Sequence, residues 1–329
     1  MTNTAGHSPD HSLDHSRRAL RRIGSLSVHP LALGGNVFGW TADRAQSFAV
    51  LDAYAEAGGN FIDTADVYSA WAPGNSGGES ETIIGDWMAS RGNRDRVVIA
   101  TKVGGGFPDK AGLSAATIRT GLEASLRRLR TDHIDLYYTH YDDETVPVAE
   151  FLTALDELVR EGKIREIAAS NISPQRLAES LEFSDAAGLA KYAAIQPQYS
   201  LVSRNTYEGE LRGVAARHNL AAVPYLALAS GFLTGKYRPG TEVDSPRAPS
   251  AARHLQTERG RRVLSALHEV AAAHQVPVAT VALSWLAAQP TVTSCLASAR
   301  TVEQLPPLLA AADLRLTEGE IERLRAASE

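Results

Sequence analysis

Asp63, Tyr68, Lys102 and His140 have the side-chain types and spacing for proton transfer. Two of them lie in "NFIDTADVY", residues 60–68, where the apolar pair Phe61 and Ile62 gives way to Asp63, Thr64, Asp66 and Tyr68 within six positions. A turn needs only one Asp or Asn, so the surplus of polar groups calls for a chemical reason. A tyrosine has a reference pKa of ~10 and is a poor acid at neutral pH unless something favours its anion. A nearby ammonium does so. Lys102 closes one apolar run and Asp63 closes the run before it, so the carboxylate can hold the ammonium charged and pointed at Tyr68. His140, closing the next run, can donate to or orient a carbonyl oxygen. A Tyr, Lys, His and Asp set with no metal and no Ser or Cys nucleophile suits proton transfer to a carbonyl oxygen, with hydride coming from a cofactor.

Such groups need a frame that brings distant segments to one place. From Ile23 onward, short β-rich runs alternate with segments of helical period. The runs are "HPLALGG", "GGNFIDT", "RVVIATK", "HIDLYYTH", "IREIAASN", "AAIQPQ", "AAVPYLAL" and "VTSCLAS". Amphipathic stretches between them cover residues 42–57, 114–130, 146–161, 174–182, 207–218 and 257–274. Ser114 is a good N-cap, and Gly58 and Gly162 stand where C′ glycines stop helices. Strand alternating with helix eight times predicts an α/β fold, a (β/α)8 TIM barrel forming a single domain over residues 19–329, whose reactive groups come from the C-terminal ends of the strands. In order, those ends carry Gly34 and Gly35, Asp63, Lys102, His140, Ser170 and Asn171, Gln196, Tyr225, then Ser298 and Arg300. Their recurrence at one rim of a closed barrel predicts convergence on one pocket.

The motifs "FIDTADVY", "IATKV", "YYTH", "AASNIS", "IQPQYSL", "PYLALASGFLTGKYR" and "ASARTVEQL" stand in the order found in the aldo-keto reductases, which residues 20–325 resemble. The resemblance implies an NADPH-dependent oxidoreductase that reduces the carbonyl of an aldehyde, ketone or sugar, or runs the reverse reaction. Its catalytic tetrad would be Asp63, Tyr68, Lys102 and His140, with Tyr68 as general acid and base. It also implies that Ser170, Asn171 and Gln196 hold the nicotinamide carboxamide and that Tyr225 stacks on its ring. Gly35 and Asp63 count among the cofactor contacts. Leu228, Gly231, Leu233 and Lys236 would follow the pyrophosphate, and Ser298, Arg300 and Gln304 the 2′-phosphate. The last cluster has its own physical sense: a helix starting near Thr301 favours an anion through its free N–H groups, and a guanidinium adds bidentate contacts. The chain departs from the family pattern at Leu226, after the stacking aromatic, and at Pro307 and Leu308 in the adenine site. Family members that bind NADPH as sensing or regulatory subunits with little turnover supply the alternative reading.

For the substrate, Trp40, Trp71 and Phe107 fall in loops after the first three strands and predict an apolar mouth, shared with Tyr68 and His140. Such walls suit an aryl or aliphatic aldehyde and equally the apolar face of a sugar. The loop at 69–80 holds four Gly or Pro residues and is expected to move on binding. Asp66 reads as structural, and Asp142, Asp143 and Glu144 as solvated loop charges.

The chain has 329 residues, 44% of them hydrophobic, with 33 basic and 38 acidic side chains for a net charge of -5. That balance argues against nucleic acid or an anionic membrane as partner. One cysteine, Cys295, rules out an internal disulfide and points to a reducing cytoplasmic compartment. The longest nearly apolar run, residues 220–233, has 14 residues, too short to span a bilayer. Residues 1–18, rich in Ser, His and Asp, read as a disordered tail with no signal core. His7, His11 and His15 in that tail share a spacing of four, but the low hydrophobicity and Pro9 oppose a helix that would bind metal. Neither "GGNVFG" nor "GGGF" fits the dinucleotide fingerprint, and "GFLTGKY" is one residue short of a P-loop. A barrel glycosidase pairing Asp63 with Asp142 conflicts with Lys102 and Tyr225.

Overall fold

The computed structural model describes residues 19–106, 111–237, 240 and 243–329. The expected tail at 1–18 and Phe107 lie outside these residues. The strands are β1 (Arg21–Ile23), β2 (Leu26–Val28), β3 (Leu31–Gly34), β4 (Phe61–Asp63), β5 (Val98–Val103), β6 (Ile134–Thr139), β7 (Ile164–Ser170), β8 (Tyr192–Gln196), β9 (Ala221–Ala222) and β10 (Cys295–Ala297). Eight of them form one parallel sheet in the order β10-β3-β4-β5-β6-β7-β8-β9. The sheet closes on itself between β9 and the segment entering β10: Thr293 N–H donates to the Ala222 carbonyl at 2.8 Å and Leu296 N–H to Pro224 at 3.1 Å. Strands alternate with helices, as in a (β/α)8 barrel, and each of the eight sequence runs supplies one strand.

The helices are α1 (Arg44–Glu56), α2 (Glu79–Arg91), α3 (Ala115–Leu129), α4 (Val148–Arg160), α5 (Pro174–Ala187), α6 (Glu210–Arg217), α7 (Ala248–Leu255), α8 (Glu258–His274), α9 (Val278–Ala287), α10 (Leu305–Leu309) and α11 (Glu318–Ala327). Ser114 accepts from Thr117 N–H and starts α3 as expected. Among the described residues no single helix is long and apolar enough to cross a membrane.

The β1–β2 hairpin was not foreseen, nor were helices α2, α7, α9 and α11. β1 and β2 pair as an antiparallel hairpin around Gly24 and Ser25, a two-residue Gly-containing loop whose signal in "RIGSLSV" was present. Ile23, Leu26 and Val28 enter the barrel core beside Phe61, Ala100 and Leu136, so the hairpin plugs the end opposite the site. Among those helices, α2 lacks a clean apolar stripe because it buries Ser80 and Glu81 along with Ile83, Ile84 and Trp87. Those polar groups act as ties. Ser80 Oγ donates to the Gly35 carbonyl at 2.7 Å and accepts from Thr64 at 2.8 Å. Glu81 accepts from Thr101 at 2.5 Å and from Arg128 at 2.6 Å. The start of α2 therefore fixes the ends of β3, β4 and β5, which carry or flank Asp63 and Lys102.

Candidate active site

Strand register sets the core of the site. Asp63 pairs with Ala100, and Lys102, two residues further along β5, points to the same barrel face. Lys102 Nζ donates to Asp63 Oδ1 at 2.6 Å, to the Thr64 carbonyl at 2.7 Å and to Tyr68 OH at 3.0 Å. Its three hydrogens are thereby used, and Lys102 and Asp63 are both fully buried. The turn after β4 returns Tyr68 to the ammonium, with its hydroxyl 3.4 Å from Asp63 Oδ1. Gln196, ending β8, donates from Nε2 to Asp63 Oδ2 at 2.8 Å. His140 follows β6, its backbone N–H bound to the Val103 carbonyl at 2.7 Å. Its ring meets that of Tyr68 edge-on at 6.1 Å.

Electrostatics depart from the sequence expectation in one respect. Burial, reinforced by the Asp63 charge, pushes the Tyr68 phenol well above its ordinary value. Burial also lowers Lys102, with Asp63 pulling the other way. At 2.6 Å the carboxylate neutralises most of the ammonium field, so desolvation governs the phenol and keeps it protonated. His140 is pushed down to about 3, by burial first and the Lys102 charge second. The imidazole is therefore neutral near pH 7, and its buried Nδ1 has no partner among the described residues.

A cavity of about 450 Å³ opens above these groups, with Tyr68 and His140 in its wall. Of the predicted positions, Trp40, Ser170, Asn171, Gln196, Tyr225, Leu228, Gly231, Lys236, Ser298, Arg300 and Gln304 also line it. Ser170 Oγ donates to the Gln196 carbonyl at 2.9 Å, Asn171 Nδ2 to the His140 carbonyl at 2.9 Å, and Tyr225 OH to Asn171 Oδ1 at 2.8 Å. Asn171 holds a left-handed backbone, φ 47°, which Asn tolerates better than most residues.

Other predicted positions stand elsewhere. Gly34 lines the cavity, whereas Gly35 lies behind it against Ser80. Leu233 is a core side chain whose N–H is bound to the Leu228 carbonyl. Trp71 is an exposed flank that meets Trp40 and Tyr68 edge-on at 5.6 and 6.0 Å. The turn near Thr301 is a 3-10 helix, Val302–Gln304, leading into the five-residue α10. Gln304 already caps Arg300 N–H at 2.9 Å, so side-chain charge, not a helix dipole, characterises this end. Asp142 and Asp143 are braces, not solvated charges: Asp142 pairs with Arg176 at 3.3 Å, and Asp143 accepts from Leu113 N–H at 3.1 Å.

Sequence reasoning missed Asn36, Tyr141 and Arg247, all in the cavity wall. Asn36 Oδ1 accepts from Ser298 Oγ at 2.7 Å. Tyr141 stacks on His140 with ring centres 4.9 Å apart. Arg247 lies over the Trp40 ring at 5.5 Å, in a loop that carries no periodic signal. Lys236, Arg247 and Arg300 stand in the cavity wall within electrostatic reach of one another, Arg247 also within reach of Tyr68. None has a carboxylate within ion-pair distance among the described residues, and mutual repulsion adds to burial in lowering Lys236 and Arg247.

A sequence model of the aldo/keto reductase family matches residues 30–329. The chain belongs to that family. This aldo/keto reductase is 33% identical to norsolorinic acid reductase stcV of Emericella nidulans over 322 residues, covering 92% of this chain and 79% of that protein. It is 36% identical to the uncharacterized oxidoreductase YrpG of Bacillus subtilis over 303 residues, 88% of this chain and 89% of that protein. A probable voltage-gated potassium channel subunit beta of Oryza sativa is 33% identical over 299 residues, again 88% and 89%. Membership makes this aldo/keto reductase an oxidoreductase of the carbonyl-reducing kind.

Proposed function

We propose that this aldo/keto reductase uses NADPH to reduce the carbonyl of an aldehyde, ketone or sugar to an alcohol, or runs the reverse, with Tyr68 as general acid and base. The observation that carries this reading is a half-buried phenol, 3.0 Å from an ammonium, in the wall of a cavity that also carries Lys236, Arg247 and Arg300, none with a carboxylate within ion-pair distance among the described residues. The cavity fits the cofactor in its polarity. Lys236, Arg247 and Arg300 suit the pyrophosphate and 2′-phosphate, Pro307 and Leu308 offer an apolar face for adenine, and Ser170, Asn171 and Gln196 suit the carboxamide beside Tyr225. A reduced nicotinamide bound there supplies the hydride. Tyr68 gives its proton to the carbonyl oxygen, and Lys102 stabilises the phenolate left behind. Neutral His140 orients that oxygen by hydrogen bonding without competing for the proton. Trp40, Trp71 and Tyr141 form an apolar mouth for the substrate's carbon skeleton. A buried, unpaired Cys295 is in keeping with a reducing cytoplasmic setting.

The similarity to a channel subunit favours a second reading, an NADPH-binding regulatory subunit with little turnover. One pair of measurements separates them: fluorescence titration with NADPH, then absorbance assays over a panel of aldehydes, ketones and sugars. Binding with turnover supports the enzyme, and tight binding with none across the panel supports the subunit. No binding removes both.

A further inference from the structure

Gln196 touches the catalytic cluster from the side opposite Lys102. Its Nε2 lies 2.8 Å from Asp63 Oδ2, whereas Lys102 and Tyr68 approach Oδ1 at 2.6 and 3.4 Å. Gln196 and Asp63 are 2% and 0% exposed, so water does not substitute for this bond. An ionised carboxylate only accepts hydrogen bonds, which fixes the amide orientation: the nitrogen must face Asp63. The amide oxygen then faces away from Asp63. The Asp63 carboxylate is pinned at both oxygens, and its rotation is suppressed only while both partners stay in place.

We propose that Gln196 is a positioning residue for proton transfer: by fixing Asp63 Oδ2 it holds Oδ1, and through it Lys102, in register with Tyr68. The same side chain links that arrangement to whatever occupies the cavity floor. This rests on the NADPH-dependent reduction proposed above. A role in cofactor binding alone would make Gln196 matter for affinity and not for the proton.

The test compares Gln196→Met, which keeps the length and loses the donor, with Gln196→Glu, which keeps the volume and donates only when protonated. NADPH affinity is measured by fluorescence. Then kcat for carbonyl reduction and for alcohol oxidation is measured from pH 5.5 to 10 at saturating cofactor. In Gln196→Met, kcat for reduction at saturation should fall about tenfold or more, since small misplacements of catalytic groups cost up to about a hundredfold. The pH midpoint of alcohol oxidation should rise by about one unit, because the Asp63 charge, no longer compensated by its amide donor, acts more strongly on the phenol. In Gln196→Glu, activity relative to Gln196→Met should recover as the pH falls and the new carboxyl gains a proton to donate. This second variant keeps the test alive if the first fails to fold. Weakened NADPH binding with wild-type kcat and pH profile at saturation would overturn the proposal alone. Absence of NADPH binding in the wild type would overturn the cofactor reading and this proposal together.

Discussion

Lys102 Nζ stands 3.0 Å from the Tyr68 hydroxyl, close enough that the charge on one is felt directly by the proton of the other. Because Lys102 is itself held 2.6 Å from Asp63, the phenol faces a nearly balanced ion pair and stays protonated. That state is the one needed to deliver a proton to a developing alkoxide.

Tyr68→Phe removes the hydroxyl and keeps the ring. Carbonyl reduction should fall by about 10²–10⁴-fold, while NADPH affinity should stay within a few-fold of wild type. In the wild type, reduction should hold steady through neutral pH, whereas alcohol oxidation, which needs the phenolate, should rise towards alkaline pH. Steady-state rates in both directions check this; identical pH dependence for the two would be incompatible with a shared tyrosine acid and base.

Lys102→Met should abolish reduction and also leave the fully buried Asp63 carboxylate without its ion partner. Removing one member of a buried pair costs about 3–5 kcal/mol. The double variant Asp63→Asn with Lys102→Met should be inactive yet more stable than Lys102→Met alone. Denaturant melts of the three proteins measure it, and a double variant no more stable than the single one would show that the pair is not the source of the loss.

His140 contributes to the pH dependence of stability. Its pKa is pushed from an ordinary value near ~6.5 down to about 3 in the folded protein, so between those values the unfolded chain binds the extra proton. Its contribution to stability is complete above the unfolded value and is lost as the pH falls through that window. Wild type should lose up to about 2 kcal/mol relative to His140→Asn between pH 7 and pH 5. Parallel pH series of unfolding free energies for the two proteins would give equal slopes if His140 were protonated in the folded state.

Arg300→Ala should weaken NADPH selectively, since Arg300 stands with Lys236 in the cavity wall. A charge-assisted contact is worth about 1.5–3 kcal/mol, or about ten- to a hundredfold in Kd. NADH should scarcely change, and added salt should reduce NADPH affinity more than NADH affinity. Four dissociation constants decide the matter; equal losses for both cofactors would assign Arg300 to the adenine or to the fold.

The sequence by itself determined the eight-strand alternation, because hydrophobic period and capping act within a few residues, as at Ser114, Gly58 and Gly162. It also determined which side chains stand at the strand ends, and so named Asp63, Lys102, His140 and Gln196. Tertiary structure decided what local pattern does not encode. The hairpin plug and α2 are held by contacts made far along the chain: Ser25 N–H binds Glu166 at 2.7 Å, and Ser80 ties Gly35 to Thr64. Arg247 entered the site from an aperiodic loop, Leu233 left it for the core, and Gln196 turned its amide to Asp63. The raised Tyr68 and lowered His140 pKa values belong to the same class. A pKa reports burial and the sum of charges within a few ångströms, and only the closed barrel fixes both.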